Sequence, residues 1–94
     1  MITCTIELYG LSAEIAATNE IALELPGKNA GMQELVTALK IRLPELDGIV
    51  LKKEENVLTD DQAFNIGGHF YATTDEITVH DGDRIRLLTA ATGG

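Results

Sequence analysis

Met32-Gln33-Glu34-Leu35-Val36-Thr37-Ala38-Leu39-Lys40-Ile41-Arg42-Leu43 is the stretch whose reading decides the fold. Met32, Leu35, Val36, Leu39 and Leu43 fall at helical spacing and make one apolar stripe, while Gln33, Glu34, Lys40 and Arg42 face water. Glu34 stands near the first turn and Lys40 and Arg42 in the last two, the order a helix dipole favours. The spacing predicts a helix over about residues 31–43, with Asn29 or Gly31 as N-cap and Pro44 marking the stop. With no other helix as clear in the chain, its stripe is the face that covers a sheet.

The sheet is read from a change of period on either side. Ile2, Cys4, Ile6 and Leu8 alternate with Thr3, Thr5 and Glu7, which predicts a strand over 2–8 with one buried face. Cys4 falls on that face and reads as core packing, since nothing nearby supplies the electropositive, open setting of a reactive thiol. Tyr9 to Asn19 has no clear period and reads as a loop or weak helical turn. Ile21, Leu23 and Leu25 alternate again, and Pro26-Gly27 closes that strand.

After the helix, Ile49 to Leu51 is a short apolar piece and Lys52 to Asp61 a solvated loop, with a helical turn around Thr59 to Gln62. Ala63–Ile66 and His69–Ala72 flank Gly67-Gly68 as a hairpin turn needing positive φ. The glycine pair lacks the Lys-Ser/Thr of a phosphate-binding loop. Ile77 and Val79 lead into the Asp81-Gly82-Asp83 turn and a last strand with Ile85 and Leu87 inward and Arg84, Arg86 and Leu88 outward. The order is β-β-α-β-β-β, and the last strand can pair with the first through a right-handed crossover. This predicts an α+β fold of the β-grasp, or ubiquitin-like, type: a mixed four- to five-stranded sheet with one main helix across one face. The division is a domain over 1–88 and a flexible tail over 89–94.

Composition narrows the function. Fifteen acidic against seven basic residues give a net charge of −8, which speaks against nucleic acid or anionic lipid as partner. One cysteine gives no internal disulfide framework and excludes an iron–sulfur ferredoxin on a related fold. No stretch approaches the ~20 apolar residues of a membrane span, and the chain reads as cytoplasmic. His69 and His80 lack cysteine partners and make no zinc signature, so no metal and no bound cofactor are expected.

The sequence then closes on Thr89-Ala90-Ala91-Thr92-Gly93-Gly94. Glycine gives no core stability, but two of them make a slender end that enters a channel too narrow for other residues. Six residues from Thr89 reach ~20 Å when extended, enough to enter a partner's active site.

These features together resemble the ubiquitin-like sulfur carriers, most of all the small subunit of molybdopterin synthase, a family that includes the thiamine-pathway sulfur carrier. The resemblance covers essentially the whole chain. It is carried by the strand Ile2–Leu8, the Glu34-Leu35 helix start, Ile66-Gly67-Gly68, the run Val79-His80-Asp81-Gly82-Asp83-Arg84-Ile85 to Leu88, and Gly93-Gly94. The chain departs from the family in having Thr89-Ala90 where a proline pair often stands, and in a long, acidic segment from Leu51 to Ala63.

What the resemblance implies is a carrier and not an enzyme. A terminal carboxylate with a pKa of about 3.5 is an anion and a poor electrophile at neutral pH. In the family an adenylating, ubiquitin-activating-like enzyme uses ATP to activate it, and sulfur then displaces AMP to leave a thiocarboxylate. Gly94 is the implied modified residue and Gly93 the one that passes the channel; no side chain is catalytic. The implied recipient is a molybdopterin-synthase large subunit. The alternatives are a protein modifier joined to lysines through Gly94, a carrier for thiamine, cysteine or tRNA thiolation, or a binding module with an idle tail. Candidates for docking are Arg84, Arg86 and Leu88, with Tyr71 or Phe70 as an aromatic anchor; against this, the two arginines simply pair with the abundant carboxylates.

Overall fold

The computed structural model describes residues 1–72 and 75–90. Strand β1 (Ile2–Leu8) runs antiparallel to β2 (Glu20–Leu25), with Cys4 opposite Leu23 and Ile6 opposite Ile21. Between them lies a six-residue helix, α1 (Leu11–Ala16), where the sequence suggested a loop or weak helical turn. It is too short to hold itself; Ala13, Ile15 and Ala16 pack against the core, and the buried Ser12 hydroxyl donates to the Tyr9 carbonyl at 3.0 Å. A two-residue strand β3 (Asn29–Ala30) precedes the main helix α2 (Met32–Arg42).

Gly31 is the N-cap of α2. Its N–H donates to Glu34 Oε1 at 2.8 Å, so Glu34 supplies its half of a capping box while the glycine, lacking a side chain, returns none. Met32, Leu35, Val36 and Leu39 are buried, and the last three are fully inaccessible. Leu43 is buried too, and Pro44 opens a single 3₁₀ turn, Pro44–Leu46, as proline suits a first helical turn.

Ile49–Leu51 is anchored in the core as its apolar run suggests, but the stretch over 52–61 is not the fully solvated loop its charges suggest. Val50, Leu51 and Leu58 are fully buried, and Leu51 bridges to Leu58, so the acidic stretch is stapled down by aliphatic anchors. A single hydrogen-bonded turn forms at Thr59–Gln62, where the Gln62 N–H donates to the Thr59 carbonyl at 3.0 Å, and Gln62 then begins β4 (Gln62–Ile66). Gly67 and Gly68, at φ of 59° and 88°, turn the chain into β5 (His69–Tyr71). Strand β6 (Val79–His80) pairs with β3, and β7 (Arg84–Thr89) completes the sheet.

The main sheet has the order β2-β1-β7-β4-β5, with β1 and β7 parallel and the other pairs antiparallel. The first and last strands are thus neighbours at its centre and α2 lies across one face, which is the β-grasp. Ile6, Ile21, Leu23, Ile85 and Leu87 fill the inner face as the alternation requires. Among the described residues no helix is long and apolar enough to cross a membrane.

Candidate functional site

The candidate site is built around β7. It is hydrogen-bonded on both sides, with Glu7 opposite Arg86 and Leu8 opposite Leu87 in the parallel ladder and Ala63 opposite Leu88 in the antiparallel one. A central strand with Ile85 and Leu87 fully buried is the most firmly held element of such a sheet. Its end is held differently. Thr89 lies opposite Gln62, whose Nε2 donates to Thr89 Oγ1 at 3.1 Å, and the Ala90 N–H donates to the Asp61 carbonyl at 2.8 Å. The sheet therefore includes Thr89, which the sequence suggested as the start of the tail. Gly93 and Gly94, the expected passage and modification residues, lie outside the described residues.

Nothing in the sequence singles out Gln62. It is 1% exposed, and its Oε1 is a buried oxygen without a hydrogen-bond partner. Rotating the amide would exchange the buried oxygen for a buried nitrogen, so one polar atom stays unpaired at the root of the tail in either orientation. No local pattern marks such a residue; only its place on the inner face of β4 does.

The outer face carries most of the expected docking residues. The register places Arg86, Asn65 and Phe70 in one row across β7, β4 and β5, with Leu88 and Ala63 in the next row toward the exit. Phe70 is 63% exposed and Leu88 half-buried. Tyr9 joins them, since its N–H donates to the Leu87 carbonyl at 3.1 Å and extends the β1–β7 ladder by one residue beside Leu88. The aperiodic stretch from Tyr9 to Asn19 hides this; continuing the β1 alternation by one residue would have placed Tyr9 on this face. Tyr71 does not belong here. It pairs with the fully buried Phe64, packs against the core and lies tilted on His69 at 6.4 Å.

The two arginines are not free cations. Arg84 Nε donates to Glu7 Oε2 at 2.7 Å and its terminal nitrogen to Glu20 Oε1 at 2.7 Å, while Arg86 Nε stands 3.4 Å from Glu7 Oε1. The pairing with carboxylates that the sequence suggested is present at both arginines. The Tyr9 hydroxyl donates to Glu7 Oε1 at 2.7 Å, and this bond, followed by that of Arg84, holds the Glu7 carboxyl below the usual carboxylate range. The same bond raises the Tyr9 phenol. Surface pairs of this kind are worth little, so a partner's carboxylate can exchange for them at low cost.

Among the described residues no three His, Cys, Asp or Glu side chains gather to hold a metal. Cys4 is 1% exposed, and burial, helped by the Asp83 charge, pushes its thiol up to about 11. A dent of about 390 Å³ lined by Gly67, Gly68, Gly82, Asp83, Arg84 and Arg86 lies at the beginning of β7, the end away from the exit.

No family model matches the chain, and no curated protein matches it. Solved structures do. Small archaeal modifier protein 1 from Haloferax volcanii is 20% identical and superposes with a TM-score of 0.77, covering 97% of this chain and 100% of that one. The same modifier from Methanosarcina acetivorans is 21% identical with a TM-score of 0.74, over 100% of this chain and 98% of that one. A Pyrococcus furiosus protein assigned as molybdopterin converting factor subunit 1 is 16% identical with a TM-score of 0.71, over 97% and 100%. At such identities the likeness is one of fold, and it extends over the whole of each molecule.

Proposed function

We propose that the chain is a ubiquitin-like sulfur carrier whose Gly94 carboxylate is converted to a thiocarboxylate for molybdopterin synthesis. The observation that carries the reading is the central strand β7, which holds the chain in the sheet through Thr89, with the Ala90 N–H bonded to Asp61 four residues before Gly94. The β-grasp fold shared with a converting-factor subunit supports it.

In this reading the carboxylate attacks the α-phosphorus of ATP on an adenylating enzyme, pyrophosphate leaves, and an acyl-adenylate forms. A persulfide sulfur attacks the acyl carbon and AMP leaves. A second thiol then cleaves the resulting acyl disulfide, leaving the thiocarboxylate on Gly94 and a disulfide behind. The protein's part is positional: the globule docks through the outer face around Tyr9, Leu88 and Phe70, while the residues after Ala90 reach at most about 14 Å into the partner. A large synthase subunit then takes the sulfur.

The two modifier structures favour a second reading, in which a lysine amine takes the activated carboxyl and forms an isopeptide. Both readings share the activation step and divide at the acceptor.

The test is to incubate the chain with its adenylating enzyme, ATP and a sulfur source. A mass gain of one oxygen-to-sulfur exchange confined to the C-terminal peptide is expected. One residue added after Gly94 should abolish it, and Gly93→Val should impair it severely by bulk and backbone restriction. Charging of the extended variant at the parental rate would overturn the assignment. Adducts in lysate that survive thiol reduction would move it to the modifier.

A further inference from the structure

Strand β2 is an edge of the main sheet. The Leu8 N–H donates to the Asn19 carbonyl at 2.8 Å, so the even-numbered residues of β1 bond toward β2, and their partners Ile21, Leu23 and Leu25 return those bonds. The backbone N–H and C=O groups of Ala22 and Glu24 therefore point away from the sheet. Unpaired edges are templates for another strand and are commonly blunted or covered. Here none of the described residues covers it. Instead, two adjoining depressions of about 330 and 340 Å³ lie between this edge and α2, sharing Glu24, Ala38 and Ile41 as walls. Ile41 is 79% exposed although it sits on the main helix. A lone exposed isoleucine needs no explanation; one flanking an open strand edge supplies the apolar half of a strand-binding groove.

Charge decides the occupant. A second copy paired antiparallel about Ala22 would set Glu20 against Glu24 at both ends, and like charges directly opposite are destabilising. Glu20 is already bound by Arg84 at 2.7 Å, whereas Glu24 has no ion pair among the described residues. The open carboxylate calls for a cation on the outer side of an incoming strand, and Ile41 and Ala38 call for apolar side chains on its inner side.

We propose that the β2 edge and its groove bind an extended segment of another protein in which basic and apolar residues alternate, added as a sixth strand. The main-chain bonds would give affinity and the alternation specificity. The proposal does not depend on the tail chemistry.

The probe is the capped peptide Lys-Val-Lys-Val-Lys-Val-Lys, with Lys-Lys-Lys-Lys-Val-Val-Val as a control of equal charge and composition. Adding the alternating peptide should slow hydrogen exchange at the Ala22 and Glu24 amides about tenfold or more, the control should not, and Ile41→Ser or Glu24→Lys should weaken binding about tenfold. Because both side chains are exposed, thermal midpoints of these variants should stay near the parent's, which separates lost binding from lost folding. Equal effects of the two peptides, or no slowing at Ala22 and Glu24, would overturn the proposal. A dimer with those amides protected in the absence of peptide would overturn it too, giving the edge to a second copy.

Discussion

The two ends of β7 are held by different means. At its beginning the turn into β7 is tied to β1 by three bonds and braced by one of its own. The Thr3 N–H donates to Asp81 Oδ1 at 2.8 Å, Gly82 N–H to the Thr3 carbonyl at 2.8 Å, Thr5 N–H to the Asp83 carbonyl at 2.9 Å, and His80 N–H to Asp83 Oδ2 at 2.8 Å. At its other end the β4 ladder sets Gln62 against Thr89 and Ala63 against Leu88, and the Tyr9 N–H reaches the Leu87 carbonyl; beyond these, the described residues add the Gln62 amide and one backbone bond to Asp61. A shift of one residue against β1 would turn Ile85 and Leu87 outward, so the turn end has to set register. In the proposed carrier the exit end aims the residues beyond Ala90. In that reading one strand serves stability at its start and presentation at its finish.

The largest effect should come from the middle, where both ends depend on the same core. Leu87 is fully buried, and Leu87→Ala should cost about 2–5 kcal/mol in urea unfolding through lost transfer energy and the cavity left. A cost below that range would mean that the strand is held mainly by its ends. Next comes Gly82, at φ 87° with open space where a Cβ would stand, so a substitution there meets backbone strain and no clash. Gly82→Val should cost about 1–3 kcal/mol, and Gly82→Asn, which tolerates positive φ, distinctly less. Equal costs would refute the turn as the lock on register.

Cys4 reports on that lock from beneath. It should resist thiol reagents in the native protein near neutral pH, both by burial and because its thiol stays protonated until about 11. Labelling should accelerate in Gly82→Val as the turn opens more often. At the exit, Thr89→Val removes the partner of a buried amide and should cost about 1 kcal/mol, while Gln62→Leu in the same chain should restore most of it. A double variant no more stable than Thr89→Val would show that the amide does more than join the two strands.

The range of each signal decides how much of this was legible in the sequence. The stripe Met32, Leu35, Val36, Leu39 and the alternations in 2–8 and 84–88 are local and periodic, so the helix, the central strands and their buried faces could be read directly. The β3–β6 ribbon could not, since two-residue strands exist only through pairing across the chain. Leu51 ends a three-residue apolar piece and Leu58 follows Val57 across a charged stretch, runs too short to show a period, and the bridge that joins them spans the loop between. Phe70 and Tyr71 differ only in parity, which the hairpin register fixes by setting Tyr71 against Phe64. For the candidate site, the outer-face positions of Arg84, Arg86 and Leu88 came from alternation. The partners Glu7 and Glu20, brought up by β1 and β2, came only with the sheet order.

The smallest effect belongs to that carboxylate network. Glu7 titrates below its ordinary 4.5 in the folded protein, so it binds fewer protons folded than unfolded in the window between the two values. Its contribution to stability is therefore present above about pH 4.5 and is lost as pH falls through the depressed folded value. Comparing the parent with Glu7→Gln in urea from about pH 6 down to about pH 3 should show a small advantage of the parent that shrinks with acid. The advantage should shrink in about 1 M salt as well, because Arg84 and Arg86 are exposed and screened. The Tyr9 hydroxyl is the largest cause of the shift, ahead of either arginine. Tyr9→Phe should accordingly move the Glu7 titration, followed by carbon NMR of its carboxyl, back toward the ordinary range more than Arg86→Gln does. If Arg86→Gln moves it further, the network is held by charge and not by the phenol. Tyr9, beside Leu88 at the exit, would then be free to leave Glu7 for a partner without disturbing the pairs at the start of the strand.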